Sequence, residues 1–398
     1  MSKLHIPLLA RIVIAIALGV ALGGFLPESI VRIFATLNGL FSELLGFSIP
    51  LIILALVSVA IADIGKSAGR MLLTTVGIAY GATLLSGFLA YGTSMLTFPS
   101  LIDPTALNSS TLVNTGVDPY FSVSAPPIMG VMTALILAFI LGLGMANLES
   151  NALRSIARDF EQIITKLIAS VIIPLLPLYI FGIFLGMTHT GQVFGILVVF
   201  IKIIGVIFAL HILLLLLQFT VAGLVARRNP ITLLSNMLPA YFTALGTQSS
   251  AATIPVTIEQ TRRNGVSPGV AGFVVPLCAT IHLSGSTLKI VCCSLALMMM
   301  MGLPIDFAQY AGFICMLGIT MVAAPGVPGG AIMACLGILQ SILGFDESTQ
   351  ALMIALYIAM DSFGTACNVT GDGAIAIIID KLFPGQEAVQ TAGQNAHR

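Results

Sequence analysis

Residues 361–373 read DSFGTACNVTGDG and place two acids inside an otherwise apolar run that extends from about 351 to 379. Asp361 and Asp372 are eleven positions apart, which is close to three helical turns, so both can project from one helix face. An acid at the bilayer centre costs roughly 2.5–3.5 kcal/mol on insertion scales, and acids kept there usually serve function. Gly371 and Gly373 favour local unwinding, which frees carbonyl oxygens as cation ligands. The stretch therefore predicts a helix that holds a cation or an ammonium group within a membrane.

The composition places this helix in an all-α polytopic membrane protein. Of the 398 residues, 58% are hydrophobic and only 8% are charged. The formal net charge is zero, so no nucleic-acid partner is expected. The six cysteines lie in or beside apolar runs without metal-ligand spacing, which favours free buried thiols.

The positions of basic residues set the sides of the membrane. Apolar segments lie at 8–26, 36–62, 71–98, 127–147, 163–188, 193–225, 229–261, 269–302, 307–343 and 350–382. Lysines and arginines lie before the first segment, between the second and third, between the fourth and fifth, and after the sixth. The loop 99–126 contains neither. By the positive-inside rule, six spans alternate from a cytoplasmic N-terminus, and 99–126 is an extracellular loop.

Two of the later segments break this alternation. Arginines flank 229–261 at both ends, whereas acids flank 307–343. The middle of the first is small and polar, and the middle of the second, 323–330, is rich in glycine and proline. We therefore expect two re-entrant helical hairpins that enter from opposite faces, each followed by a broken span, as inverted repeats. The prediction is eight transmembrane helices plus two hairpins, with a cytoplasmic tail at 383–398.

Four motifs occupy these elements in order: SSAATIPVT at 249–257, ATIHLSGS at 279–286, GVPG at 326–329 and NVTGD at 368–372. With them the chain resembles the dicarboxylate/amino acid:cation symporter family, which includes archaeal aspartate transporters, bacterial serine/threonine symporters and human glutamate transporters. The resemblance implies an elevator-type homotrimer in the plasma membrane of a prokaryote, the inner membrane if Gram-negative, with lipid as its other partner. It implies no enzyme activity.

The resemblance also implies a division of the chain. Residues 1–98 hold scaffold helices 1 and 2 and transport-domain helix 3. Residues 127–225 hold scaffold helices 4 and 5 and transport-domain helix 6. Residues 229–382 form the transport core of hairpin 1, helix 7, hairpin 2 and helix 8.

The substrate is expected to be a neutral amino acid. The resemblance assigns the α-ammonium group to Asp361. Acidic-substrate relatives have an arginine at the position of Gly364, and archaeal members have one at the position of Gln248. Without either base a second substrate carboxylate would be buried unpaired, and Gly364 vacates volume for a side chain larger than serine. The substrate residues implied are Gln248, Ser249, Ser250, Thr253, Ser286, Val327, Pro328, Gly329, Asp361, Gly364, Thr365 and Asn368.

Two alternatives for these polar residues stay open. Ser249, Ser250 and Thr253 also suit helix capping at the bend of the hairpin. Thr365 and Asn368 also suit packing between helices.

The ion sites depart from the family pattern. Asp372 and the carbonyl of Asn368, in a turn expected to be unwound up to Gly371, match one sodium site. At a second family sodium site, Ser284 stands where relatives have an acid and His282 stands where they have an asparagine. These differences predict fewer coupled sodium ions. The implied metal-site residues are Asp372, Asn368, Cys278, His282, Thr280, Leu283 and Ser284, and the implied ion is Na⁺.

Two basic residues of the seventh span are candidates for ion coupling. Lys289 either supplies a fixed positive charge where relatives bind sodium or extends its amine toward an outer or domain-interface cavity. His282 either couples transport to protons or is a histidine satisfied by its neighbours.

Rival functions follow from these alternatives. They are a proton-coupled symporter, a sodium-dependent exchanger and, more remotely, a channel. An intramembrane aspartyl protease is disfavoured, because its acids should face each other from two helices rather than lie along one.

Overall fold

The computed structural model of the chain describes residues 8–66, 70–102, 117–191, 193–322, 324 and 329–384, and within them it contains helices and no strand. A π-helical turn lies at Ile168–Ile172. The α-helices are α1 (Leu8–Gly23), α2 (Glu28–Lys66), α3 (Arg70–Leu101), α4 (Val131–Asn147), α5 (Ala152–Leu167), α6 (Ile173–His189), α7 (Val193–Ala226), α8 (Pro230–Thr247), α9 (Ser250–Arg263), α10 (Pro268–Ile281), α11 (Ser284–Met300), α12 (Phe307–Val322), α13 (Gly330–Leu343), α14 (Glu347–Ala359) and α15 (Asp361–Leu382).

The helices have the length and apolarity of a polytopic membrane protein, as the composition predicts. Within the described ranges, six helical stretches of 22 to 38 residues can cross a membrane by length and hydropathy, and four shorter apolar helices accompany them. Large apolar side chains such as Leu73, Ile136, Ile201 and Leu224 are more than half exposed on the outer helices. Such a surface suits lipid, which solvates apolar side chains as well as a protein core does.

Helices α8 and α9 pack against each other as hairpin 1, and α12 and α13 do so as hairpin 2. In hairpin 1 the chain turns at Gln248, which has φ 54°, and Ser249 then caps α9 by accepting a hydrogen bond from the Ala252 N–H at 3.3 Å. In hairpin 2, α13 follows Gly329, whose φ of 75° favours glycine. The turn of hairpin 1 lies where the sequence predicts it, and residues 325–328 of the second predicted turn lie outside the described residues.

Two long helical segments are interrupted. His282 and Leu283 separate α10 from α11, and Met360 separates α14 from α15. The second break lies one residue before Asp361. The expected unwinding at Asn368–Gly371 is therefore wrong, because these residues lie inside continuous α15.

The two glycines that suggested unwinding serve close packing instead. A Cβ at Gly371 would lie 2.7 Å from Gln218 Oε1 and 2.7 Å from His282 Cε1. A Cβ at Gly373 would lie 2.6 Å from Met237 Cε. Each glycine thus lets a neighbouring side chain reach the backbone of α15.

Helix α15 lies at the centre of the later half of the chain. It packs against α7, α8, α9, α10 and α11, while α3 packs along α11. In the earlier half α2 packs against α4, α5 and α6, and α1 packs against α6. Nearly all of α11 and α15 is buried, so every polar side chain on them needs a partner inside the protein.

Candidate functional site

Asp361 begins α15 at the break after Met360 and is only 5% exposed. Its Oδ2 accepts a hydrogen bond from the Gly329 N–H at 2.7 Å, and its Oδ1 lies 3.4 Å from Lys289 Nζ. The carboxylate therefore joins the start of α13 in hairpin 2 to a base on α11.

Lys289 is fully buried, so the hypothesis that it extends its amine toward a cavity is wrong. Its Nζ lies 3.3 Å from the carbonyl oxygen of Met360 and 3.6 Å from the ring centroid of Tyr357, in addition to the contact with Asp361. A carbonyl, a carboxylate and an aromatic face are the three kinds of partner that a desolvated ammonium group accepts. The charge of Lys289 thus lies beside the predicted substrate acid, and these contacts do not include Asp372, the predicted sodium ligand.

Gly364 provides the space for this lysine. A Cβ at position 364 would lie 2.4 Å from Lys289 Cε and 2.6 Å from its Nζ. The expectation that Gly364 vacates volume for a larger substrate side chain is wrong, since the end of Lys289 fills that volume. The premise that the site has no base at this position is wrong for the same reason.

A hydrogen-bond network surrounds the break before α11. Asn368 Oδ1 accepts from the N–H groups of Gly285 and Ser286 at 2.8 and 3.3 Å, and Asn368 Nδ2 donates to Ser286 Oγ at 3.0 Å. Tyr357 donates from its hydroxyl to the same Oγ at 3.1 Å. Asn368 therefore satisfies backbone donors at the start of a helix, a role that the sequence analysis did not foresee. Thr365, one turn earlier, is buried beside this network.

Asp372 lies at the other end of the predicted site and is 1% exposed. Its Oδ1 lies 2.9 Å from His282 Nδ1. Gln218 Nε2 donates toward His282 Nε2 at 3.5 Å and to Ser284 Oγ at 3.1 Å. Either ring nitrogen of His282 can carry the proton in this arrangement, because a 180° turn of the Gln218 amide exchanges its donor and its acceptor.

Two buried oxygen atoms near Asp372 have no hydrogen-bond partner among the described residues. Among the described residues, neither Asp372 Oδ2 nor Gln218 Oε1 has a hydrogen-bond partner, and both atoms are buried. A buried carboxylate whose neighbour is neutral leaves one negative charge uncompensated. Oxygen donors around one net negative charge fit a hard cation such as Na⁺. Gln218 lies on α7, and the sequence analysis missed it because no motif marks it.

The other predicted ion ligands lie around the same break. The Cys278 carbonyl accepts from the His282 N–H at 2.8 Å, and the Leu283 carbonyl accepts from the Thr287 N–H at 2.8 Å. Thr280 is exposed, and its hydroxyl donates to the Leu277 carbonyl at 2.8 Å. The carbonyls of Cys278 and Leu283 and the hydroxyl of Thr280 thus already have hydrogen-bond partners within the protein.

The polar residues of hairpin 1 bond to one another. Thr253 donates to the Ser249 carbonyl at 2.8 Å, and its Oγ1 lies 3.1 Å from Thr247 Oγ1. Ser250 is buried and Gln248 is half-buried. With the cap formed by Ser249, this geometry matches the capping interpretation of the tip. Val327 and Pro328 lie outside the described residues.

Comparison with known proteins agrees with this geometry. The family model described as the sodium:dicarboxylate symporter family matches residues 8–382. The serine/threonine transporter SstT of Acinetobacter baumannii is 27% identical over 397 residues, which cover 94% of this chain and 97% of that protein. Excitatory amino acid transporter 1 of Rattus norvegicus is 29% identical over 246 residues, which cover 60% of this chain and 44% of that protein. The chain belongs to the sodium:dicarboxylate symporter family.

Proposed function

We propose that the protein is a secondary active transporter that couples the uptake of a neutral amino acid to sodium. The observation that carries the proposal is the Asp372 cluster. Asp372 is a buried carboxylate whose second oxygen has no hydrogen-bond partner among the described residues, and with a neutral His282 its charge would be compensated by a cation. Asp372, Gln218 and Ser284 would supply oxygen ligands, with the carbonyl of Asn368 as a further proposed ligand. The relatives, which carry the names of amino acid transporters, support the same reading.

The substrate would bind between hairpin 2 and the start of α15. Asp361 would take the α-ammonium group, while Ser286, Thr365, Asn368 and the tips of the two hairpins would surround the carboxylate and side chain. The neutral-substrate proposal now rests on a charge count. Asp361 and Lys289 cancel each other, so the pair leaves no surplus positive charge for a second substrate carboxylate.

The transport cycle would be of the elevator type in a homotrimer. Helices α3 and α7 would move with the core from α8 to α15, against a scaffold built from α1, α2, α4, α5 and α6. The packing of α3 and α7 on the core helices supports this division. Hairpins 1 and 2 would be re-entrant, and the protein would lie in the inner membrane of a prokaryote with both termini in the cytoplasm.

Proton-coupled symport is the second candidate. The observation that favours it is the 2.9 Å contact between His282 and Asp372, because an imidazole already occupies one carboxylate oxygen where a sodium ion would bind. A protonated His282 would neutralise Asp372 without a metal ion.

The decisive experiment is uptake into proteoliposomes, guided by a thermal-shift screen of the twenty amino acids and cystine, each with and without sodium. Accumulation driven by a sodium gradient at constant pH supports the proposal. Accumulation driven only by a pH gradient assigns the coupling to protons. Counterflow without accumulation would identify an exchanger, and current without substrate would identify a channel. Stabilisation by aspartate or glutamate alone would overturn the neutral-substrate proposal.

A further inference from the structure

We infer that Lys289 is an internal competitor for the ammonium site of Asp361, and that it holds hairpin 2 closed when no amino acid is bound. The inference rests on the proposed function, because it assigns to Lys289 the regulation of the same site. The primary amine of a lysine and the α-ammonium group of an amino acid are the same chemical group. In the structure the lysine amine lies at the carboxylate that the substrate amine would use.

The position of Lys289 is built for this contact. Its amine touches the Met360 carbonyl, Asp361 Oδ1 and the face of Tyr357, and no part of the side chain reaches the surface. Gly364 leaves the room that the last carbons of the lysine occupy. An ammonium group with this many partners does not depend on a substrate for stabilisation.

The same carboxylate connects the lysine to hairpin 2. Asp361 uses one oxygen for Lys289 and the other for the Gly329 N–H, at the start of α13. With Lys289 in place, the charge of the buried carboxylate is compensated, and its hydrogen bond to the Gly329 N–H of hairpin 2 is retained. Without it, a single backbone N–H would face an uncompensated buried charge, which favours entry of water and separation of Gly329 from Asp361.

Two consequences follow for transport. A substrate amine must displace Lys289 from Asp361, which lowers the apparent affinity for the amino acid. The second consequence is that hairpin 2 can close without substrate, so the empty carrier can return across the membrane. Lys289 would therefore permit net uptake, whereas a carrier that lacks it would mainly exchange one substrate molecule for another.

The test compares Lys289→Met with the wild type and with Lys202→Met, a control that removes a lysine whose amine contacts only the Leu101 carbonyl among the described residues. Hydrogen–deuterium exchange in nanodiscs, without any amino acid, measures opening of residues 329–343. Proteoliposomes give the ratio of net uptake to homoexchange and the half-saturating concentration of substrate.

For Lys289→Met we expect amide exchange in 329–343 to become about tenfold faster, the ratio of net uptake to homoexchange to fall about tenfold, and half-saturation to occur at about tenfold less substrate. Gly364→Ala should shift the amide exchange, the transport ratio and the half-saturating concentration in the same directions. Its Cβ displaces the Lys289 side chain, while the positive charge of the lysine remains in the protein. This second variant carries the test if Lys289→Met does not fold.

Unchanged amide exchange and an unchanged transport ratio in both variants would overturn the inference. So would loss of amino acid binding in Lys289→Met, which would mean that the lysine contacts the substrate. A wild type that neither binds nor transports any amino acid overturns the proposed function instead. The ligand-free exchange measurement then still decides whether Lys289 holds hairpin 2.

Discussion

The two acids of α15 are the same residue type on one helix, yet their surroundings differ. Asp361 faces a lysine and a backbone N–H, so both its oxygens have partners and its charge is compensated. Asp372 faces a histidine, and its second oxygen has no hydrogen-bond partner within the described part of the chain. The protein itself thus satisfies the first acid, whereas the second has an oxygen left for a cation. Under the proposed function, the first acid would select the substrate and the second would couple its transport to the ion.

The largest expected effect comes from breaking the compensated pair. Asp361→Asn leaves the ammonium of Lys289 buried without its counter-charge, which costs about 3–5 kcal/mol in the free energy of unfolding. Adding Lys289→Met should recover most of that loss, because no unpaired charge remains. Denaturant titration in mixed micelles measures both variants. Additive losses in the double variant would contradict the pairing of Lys289 with Asp361.

A second substitution removes the uncompensated charge. Asp372→Asn should abolish the stabilisation by sodium, which for the wild type amounts to about 2.7 kcal/mol when sodium is 100 times its Kd. In sodium-free buffer the variant should equal or exceed the wild type in stability, since a buried lone charge is gone. Thermal unfolding at constant ionic strength, with choline replacing sodium, provides the comparison. A full sodium response in Asp372→Asn would place the ion elsewhere.

The close packing at the Asp372 end predicts a smaller effect. Gly371→Ala would press a methyl group against Gln218 and His282 at 2.7 Å, which should cost about 1–3 kcal/mol and weaken the sodium response. Gly77→Ala on α3 is the matched control, because nothing lies within 4 Å of its Cβ position and it should be neutral or slightly stabilising. Equal stability and an equal sodium response in the two variants would show that Gly371 is not required for close packing against Gln218 and His282.

The smallest effect tests the cap of α9 at the tip of hairpin 1. Ser249→Ala removes the cap of α9 and should cost about 1 kcal/mol. Ser249→Asn retains a capping oxygen and should recover this loss. Substrate affinity in these two variants, measured by thermal shift, separates the capping role from a contact with the substrate. Affinity lost in both, with stability restored by asparagine, would assign the hydroxyl to the substrate.

The sequence predicted the paired helices α8–α9 and α12–α13 because their signals are local, whereas it placed the break of the last span at Asn368–Gly371 instead of at Met360. Glycine, proline and small polar residues at 246–255 and 323–330 interrupt apolar runs. The four motifs also located the polar residues that gather around α15.

The pairings inside the site were not predictable in the same way. Lys289 and Gly364 are distant in sequence and meet only through tertiary packing, as do Gln218 and His282. A glycine can signal either unwinding or close approach, and only the structure shows that Gly371 serves the second purpose. The glycine at position 364 was visible in the sequence, whereas the lysine that fills the space beside it was not.

The contact between Gly364 and Lys289 has an evolutionary consequence. A single mutation that gave position 364 an arginine would meet an occupied space and a like charge, so it would be deleterious while position 289 remains lysine. The same mutation becomes tolerable once Lys289 has become shorter and uncharged. The two positions therefore form an epistatic pair, in which the order of substitutions decides which basic side chain can occupy the space.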